Sequence, residues 1–244
     1  MRAAPSVCGR CAVEHNVQYK PIAVLRGDFP AKFGIPRQPA RVPGLEARIV
    51  FEPGYRDPSL LRGLEGFSHI WVVWHCSLSA PMGEKTTVRP PRLGGNVRMG
   101  VFATRSPVRP NPIGISCVKI KEIVTDSPEG PYITVLGSDM ADGTPVLDIK
   151  PYLAYTDSVP DATSGFYGQG ADHRLKVVVP PEKAAVLPEK KLQTLISVLA
   201  EDPRPAYNDD ENRVFGFVYA GFEIKFNVKN GVLTVTDICS NGDI

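Results

Sequence analysis

The sequence has no long apolar run: nothing in it approaches the roughly 20 consecutive apolar residues of a membrane-spanning helix, so no membrane role is expected. A disulfide framework is missing too. Its five cysteines, Cys8, Cys11, Cys76, Cys117 and Cys239, are odd in number and scattered, which points to a reducing, cytoplasmic compartment. Residues 1–20 hold no continuous apolar stretch, so no secretory signal is read; Arg2 and Arg10 beside the lone acid Glu14 leave import into an organelle open. No dinucleotide-type glycine fingerprint follows a strand, because Gly168-Gln-Gly170 lacks the third glycine, and a Rossmann sheet is not expected. The four histidines allow no Ser-His-Asp or Cys-His arrangement to be assembled from spacing. His69 and His75 lie six apart on one apolar strand and share a face; His69 reads as a satisfied core residue, while His75 stays open. Cys8-Gly-Arg-Cys11 with His15 has partial zinc spacing, but no second cysteine pair completes four ligands, so no metal is expected.

What is present describes a globular chain of one to two domains: 244 residues, 43% hydrophobic and 22% charged. Proline and glycine together make 19%, rich for a helical bundle and suited to turn-dense β structure. The net charge of +2 hides an uneven distribution. Residues 85–121 carry eight basic residues and no acid, leaving −6 for the rest. Such a cationic stripe suits phosphate contacts, with a solvated basic surface as the bland alternative.

Period-2 patterning dominates up to about residue 157. Short β-branched or aromatic runs occupy 17–25, 47–51, 70–76, 100–104, 113–124, 133–136 and 146–149, with one short helical candidate at 58–63. Seven such strands predict a closed or nearly closed antiparallel barrel. Residues 158–170 are polar and glycine-rich. A helix is predicted over 188–201, with Leu192, Leu195, Ile196 and Leu199 at helical spacing. Strands over 214–220, 222–229 and 232–238 follow, the last two joined by a Lys229-Asn-Gly231 hairpin turn. The expected architecture is thus mainly β: a tail at 1–16, a small antiparallel barrel over 17–160, a linker or surface excursion over 161–184, and a smaller α+β domain over 185–244.

One loop differs in kind. The segment Phe102-Ala-Thr-Arg-Ser-Pro-Val-Arg-Pro-Asn-Pro-Ile-Gly-Ile-Ser116 braces Arg105, Ser106, Arg109 and Asn111 between prolines. Two guanidiniums on a stiff loop suit an anion or a planar group; the alternative is a rigid barrel corner. Together with Lys32-Phe-Gly-Ile-Pro-Arg-Gln38, Gly66-Phe-Ser-His-Ile-Trp71, Val88-Arg-Pro-Pro-Arg-Leu-Gly-Gly-Asn96 and Asp142-Gly-Thr-Pro-Val-Leu-Asp-Ile-Lys-Pro-Tyr152, this segment resembles the TrmO (TsaA-like) family of tRNA methyltransferases. Asp202-Pro-Arg-Pro-Ala-Tyr207 with residues 222–226 resembles the small C-terminal domain of many members.

The resemblance implies an S-adenosylmethionine-dependent homodimer on a barrel, methylating N6 of threonylcarbamoyladenosine beside the anticodon of tRNA. Carried over motif by motif, the cofactor would touch Pro36, Arg37, Gln38, His75, Cys76, Arg105, Ile115, Asp142, Gly143, Thr144 and Pro145. Arg89, Arg92, Arg98, Lys119 and Lys121 are the candidate RNA contacts. The acceptor nitrogen is a poor nucleophile, its lone pair being delocalised, so its proton needs an acceptor. Asp148 is the candidate base, Asn111 an orienting acceptor, and the substrate's own carboxylate a third source. Arg109 or Arg105 would pair that carboxylate through a bidentate fork. A non-catalytic RNA-binding barrel that holds S-adenosylmethionine is the rival reading.

Overall fold

The computed structural model describes residues 17–83, 86–90, 93–94, 96–168, 173–205, 210–240 and 242. The tail at 1–16, with Cys8, Cys11 and His15, and the candidate contact Arg92 lie outside them.

The fold is mainly β. Six strands, β1 (Ala23–Gly27), β2 (Glu46–Phe51), β3 (His69–His75), β6 (Ile113–Val124), β7 (Tyr132–Leu136) and β8 (Pro145–Pro151), close a barrel in the order β1-β2-β7-β6-β3-β8, every neighbour antiparallel. Alternation sends Ala23, Leu25, Ala47, Ile49, Ile70, Val72, Val118, Ile133, Val135 and Val146 into one core; closure leaves no open edge there.

Two expectations shift here. Residues 17–20 are not strand, and the run expected at 100–104 yields only β5 (Met99–Gly100), paired with β4 (Thr87–Val88) outside the barrel. Residues Val101–Ala103 coil into a 3-10 turn, which Thr104 closes by donating its hydroxyl to the Val101 carbonyl at 2.8 Å. The barrel therefore has six strands, not seven. The helical candidate at 58–63 is likewise a 3-10 turn, Pro58–Leu61, whose Asp57 cap accepts from the Ser59 amide at 2.8 Å.

Beyond α1 (Ala154–Asp157), the segment expected as linker contains β9 (Lys176–Val178) and α2 (Pro181–Ala184). β9 joins β10 (Phe215–Tyr219), β11 (Phe222–Lys229) and β12 (Val232–Ser240) in a four-stranded sheet, running parallel to β12 at its edge. The expected hairpin turn is present: Asn230 and Gly231 have φ of 49° and 74°, the left-handed pair a two-residue turn requires. Helix α3 (Glu189–Ala200) lays Leu192, Leu195, Val198 and Leu199 on this sheet.

The same core also takes in residues from the β1–β2 connection. Phe29, Val42 and Leu45 are buried in it, and the Phe29 ring lies 5.2 Å from Tyr219 and 6.0 Å from Phe217. Gly34, at φ 97°, lets that connection pass so close to Phe217 that a Cβ would sit 2.6 Å from its ring. The barrel's first long loop is thus anchored on the C-terminal sheet, with Asp28 paired to Lys191 at 2.6 Å and Arg41 to Glu201 at 2.7 Å. No helix of the described residues is long and apolar enough to cross a membrane.

Candidate active site

A cavity of about 560 Å3 opens at the end of the barrel where β3 finishes, β6 begins and the chain crosses from β7 to β8. The 32–38 stretch of the anchored loop and the proline-braced 104–109 loop complete its walls. Its size lies within the range of small-molecule sites.

Its floor is set by a pairing between an indole and a glycine. Trp74 faces Gly114 across the β3–β6 ladder, and a Cβ on Gly114 would lie 2.2 Å from the ring. The indole therefore crosses β6 and donates Nε1–H to Ser116 Oγ at 3.0 Å. Ser116, fully buried, donates in turn to Asp139 Oδ1 at 2.5 Å. In the β3–β8 pairing Val73 faces Asp148 while Trp74 faces Val146, so Leu147 is the extra residue of a bulge on β8.

Among the described residues, five cations, Lys32, Arg37, Arg89, Arg105 and Arg109, line the cavity against one acid, Asp139. Arg105 is held from two sides: its guanidinium donates to Gln38 Oε1 at 2.6 Å, and its amide donates to the Tyr167 hydroxyl oxygen at 2.9 Å. Arg109 donates to the Thr104 carbonyl at 3.2 Å, and Arg37 donates to the Arg204 carbonyl at 2.6 Å, tying the rim to the C-terminal half. Apolar surface comes from Trp74, Ile35, Ile113, Ile115 and Met140.

Burial pushes the Asp139 carboxyl up to about 6, against the opposing pull of the Ser116 hydrogen bond and of Arg105. Burial also raises the Cys76 thiol, despite Lys32 and Arg109 nearby, and lowers the Lys32 ammonium. The Asp139 shift has a sign for stability. Between pH 4 and 6 the folded chain keeps a proton that the unfolded chain releases, so stability falls as pH rises through that window. Asp139→Asn keeps an oxygen for Ser116 and removes the charge. It is expected to stabilise the protein by about 1 to 2 kcal/mol at pH 7 and to flatten the decline, as read by chemical denaturation across pH.

The structure sorts the sequence candidates into three groups. Pro36, Arg37, Gln38, Cys76, Arg105, Arg109, Ile115 and Thr144 line this cavity. His75, Asn111 and Pro145 line a second one of about 680 Å3, with Ile113 facing both. Asp142 and Gly143 line neither; they brace the barrel, Asp142 Oδ1 accepting from the Gly27 amide at 3.0 Å and the Gly143 amide donating to the Leu25 carbonyl at 2.9 Å. Asp148 also lies outside both cavities, half-exposed and paired with Lys150 at 3.0 Å, so the geometry separates it from Arg105 and Arg109.

The basic stripe divides as well. Arg89 is a cavity wall, and Arg98 donates to Thr87 Oγ1 at 2.8 Å on the β4–β5 hairpin. Lys119 and Lys121 lie along β6; Lys121 is eight residues from Ile113, roughly 26 Å at the usual rise, and is paired at 2.6 Å with Glu46, whose carboxylate Lys190 shares. Sequence reasoning missed Asp139, Ser116 and Trp74 as a unit, since they come from three strand ends with no common motif.

Comparison with known proteins agrees with this architecture. The family model of the tRNA-methyltransferase O N-terminal domain matches residues 24–158, and that of the TrmO C-terminal domain matches residues 172–241. The tRNA (adenine(37)-N6)-methyltransferase of Escherichia coli is 42% identical over 221 residues, covering 88% of this chain and 92% of that protein. The protein of the same name from Eikenella corrodens is 44% identical over 170 residues, covering 69% of this chain and 95% of the relative. A crystal structure of TrmO from Pseudomonas aeruginosa superimposes with a TM-score of 0.73 at 29% identity, over 92% of this chain and 100% of that one. Barrel, C-terminal module and cationic cavity all fall within these matches, and the chain belongs to the TrmO family.

Proposed function

We propose that this chain transfers a methyl group from S-adenosylmethionine to N6 of threonylcarbamoyladenosine at position 37 of tRNA, the adenine position named for its relatives. One observation carries the reading: a cavity with apolar walls in which, among the described residues, five cations face a single acid. A donor that is part aromatic, part amino acid fits such walls. Trp74, Ile35 and Ile115 offer apolar surface to a flat ring, and Arg37 with Gln38 offers polar groups to a carboxylate or a diol. When bound, S-adenosylmethionine supplies the methyl as a substituent of a positively charged sulfur.

The protein's own part is positioning. None of Lys32, Arg89, Arg105 and Arg109 forms an ion pair with a described residue, so each keeps its charge for a ligand. A threonyl carboxylate supplies one such anion and the flanking phosphates supply others. A homodimer belongs to the same reading: Phe102 and Ile115, 80% and 53% exposed, present apolar surface on and beside the cavity.

The test is direct. Purified protein, S-adenosylmethionine and tRNA lacking the methyl group are incubated, and nucleoside mass spectrometry is expected to find one methyl added to the threonylcarbamoylated adenosine. Finding none would refute the reading. Arg109→Ala is expected to cost about 10- to 100-fold on threonylcarbamoylated tRNA and clearly less on unmodified tRNA, in line with the loss of one charge-assisted contact. Equal losses on both would remove the carboxylate contact.

A further inference from the structure

We propose that the carboxylate of Asp139 accepts the proton that N6 gives up as it is methylated. This rests on the substrate reading above. Asp139 is the one acid among the described residues that line the cavity, and its position is set through a chain from the buried barrel wall, Trp74 donating to Ser116 and Ser116 donating to Asp139. The other groups fail on chemistry or place. Asp148 lines neither cavity and is bound to Lys150. His75 opens on the second cavity. The Cys76 thiol is held protonated by burial, and Lys32 is a cation donating to Ser79 Oγ at 3.0 Å.

The step balances. The N6 lone pair forms the nitrogen–carbon bond as the carbon–sulfur bond breaks, its electrons remaining on sulfur as a neutral thioether. The N6 proton passes to Asp139 and is released to water after the product leaves.

The groups around Asp139 decide when it can act. Ser116 reaches it from β6 with a hydrogen bond, Arg105 from the 104–109 loop with positive charge, and Cys76 interacts with it from beyond β3, while Lys32, Arg37, Arg89 and Arg109 line the same cavity. Ser116 and Arg105 both favour the ionised form, opposing a burial that keeps the carboxyl partly protonated near pH 6. An acceptor poised close to neutrality is the kind that proton transfer favours.

The experiment compares wild type, Asp139→Asn and Ser116→Ala. Three readouts are taken: turnover against pH on threonylcarbamoylated tRNA, S-adenosylmethionine affinity by calorimetry, and thermal unfolding of the ligand-free protein against pH. In the wild type, turnover is expected to fall as pH drops through about 6. Asp139→Asn should lose roughly 100-fold or more in kcat with donor affinity within a few-fold, and its ligand-free melting temperature should lose the decline that the wild type shows between pH 4 and 6. Ser116→Ala, which removes a hydrogen bond to the ionised form, should move the acidic limb to higher pH. Near-normal turnover of Asp139→Asn, or a loss that saturating donor restores, would overturn the proposal; the second outcome would make Asp139 a ligand of the donor's cationic groups. An unmoved limb in Ser116→Ala also counts against it. A wild type that methylates no threonylcarbamoylated tRNA sinks the substrate reading instead, an outcome separate from an active wild type beside an active Asp139→Asn.

Discussion

Gly114→Val is expected to reduce S-adenosylmethionine affinity by more than 100-fold while the protein still folds. The first branch carbon would enter the Trp74 ring, whose Cε2 and Cζ2 lie 2.2 and 2.4 Å from a Cβ at this position. Neither partner can step aside cheaply, because both stand in the β3–β6 ladder, where Trp74 pairs with Gly114. The indole must swing out of its groove. That breaks its bond to Ser116, removes a wall of the cavity, and leaves a fully buried hydroxyl one donor short, a change costing on the order of 1 to 3 kcal/mol. Calorimetry should read the lost affinity, and far-ultraviolet circular dichroism should report an intact sheet. A folded Gly114→Val protein that binds the donor normally would show that this cavity is not the donor's site.

The second large effect lies some distance from the chemistry. Phe29→Ala is expected to cost about 3 to 5 kcal/mol in global stability, the range for a buried phenylalanine cut to alanine. Phe29 is 1% exposed and touches the rings of Phe217 and Tyr219, so no solvent-side relaxation can fill the hole. For a chain of this length the loss should lower the melting temperature by roughly 10 °C. Binding should suffer as well, because the loop that Phe29 anchors also carries Pro36, Arg37 and Gln38 to the cavity. Urea unfolding and donor calorimetry on the same preparation check both parts. A variant as stable as the wild type would show that the loop docks on the C-terminal sheet without energetic weight.

How much of this could be read from the chain depends on whether the signal was local. The 113–124 run became β6 at the same bounds, since twelve residues rich in β-branched side chains admit little else. Leu192, Leu195 and Leu199 likewise declared the buried stripe of α3. The 100–104 run misled because buried Val101 followed by exposed Phe102 imitates strand alternation, although the Thr104 hydroxyl closes a turn there. β9 went unread because three residues carry too little pattern, and its partner β12 lies more than fifty residues away. For the site, the proline-braced loop announced Arg105 and Arg109, both of which line the cavity. Asp139 gave no such signal: it follows Gly137 and Ser138 at a strand end, and its place in the cavity emerges only where barrel closure brings it beside Ser116. Asp148 stood out by contrast because it belongs to a recognisable motif, yet it stands opposite Val73 in the β3–β8 ladder, outside the cavity and paired with Lys150.

Residues 28–45 belong to the barrel by sequence order and to the C-terminal core by packing. Modularity is therefore not drawn along the chain. A chimaera that spliced this barrel to a relative's C-terminal half near residue 172 would ask a foreign sheet to accept Phe29, Val42 and Leu45, and to leave room for Gly34 where Phe217 now lies. The transplantable piece is discontinuous, the β1–β2 connection together with everything after the connector, and shuffling experiments that move only the tail half should yield hybrids whose cationic cavity has lost its scaffolding.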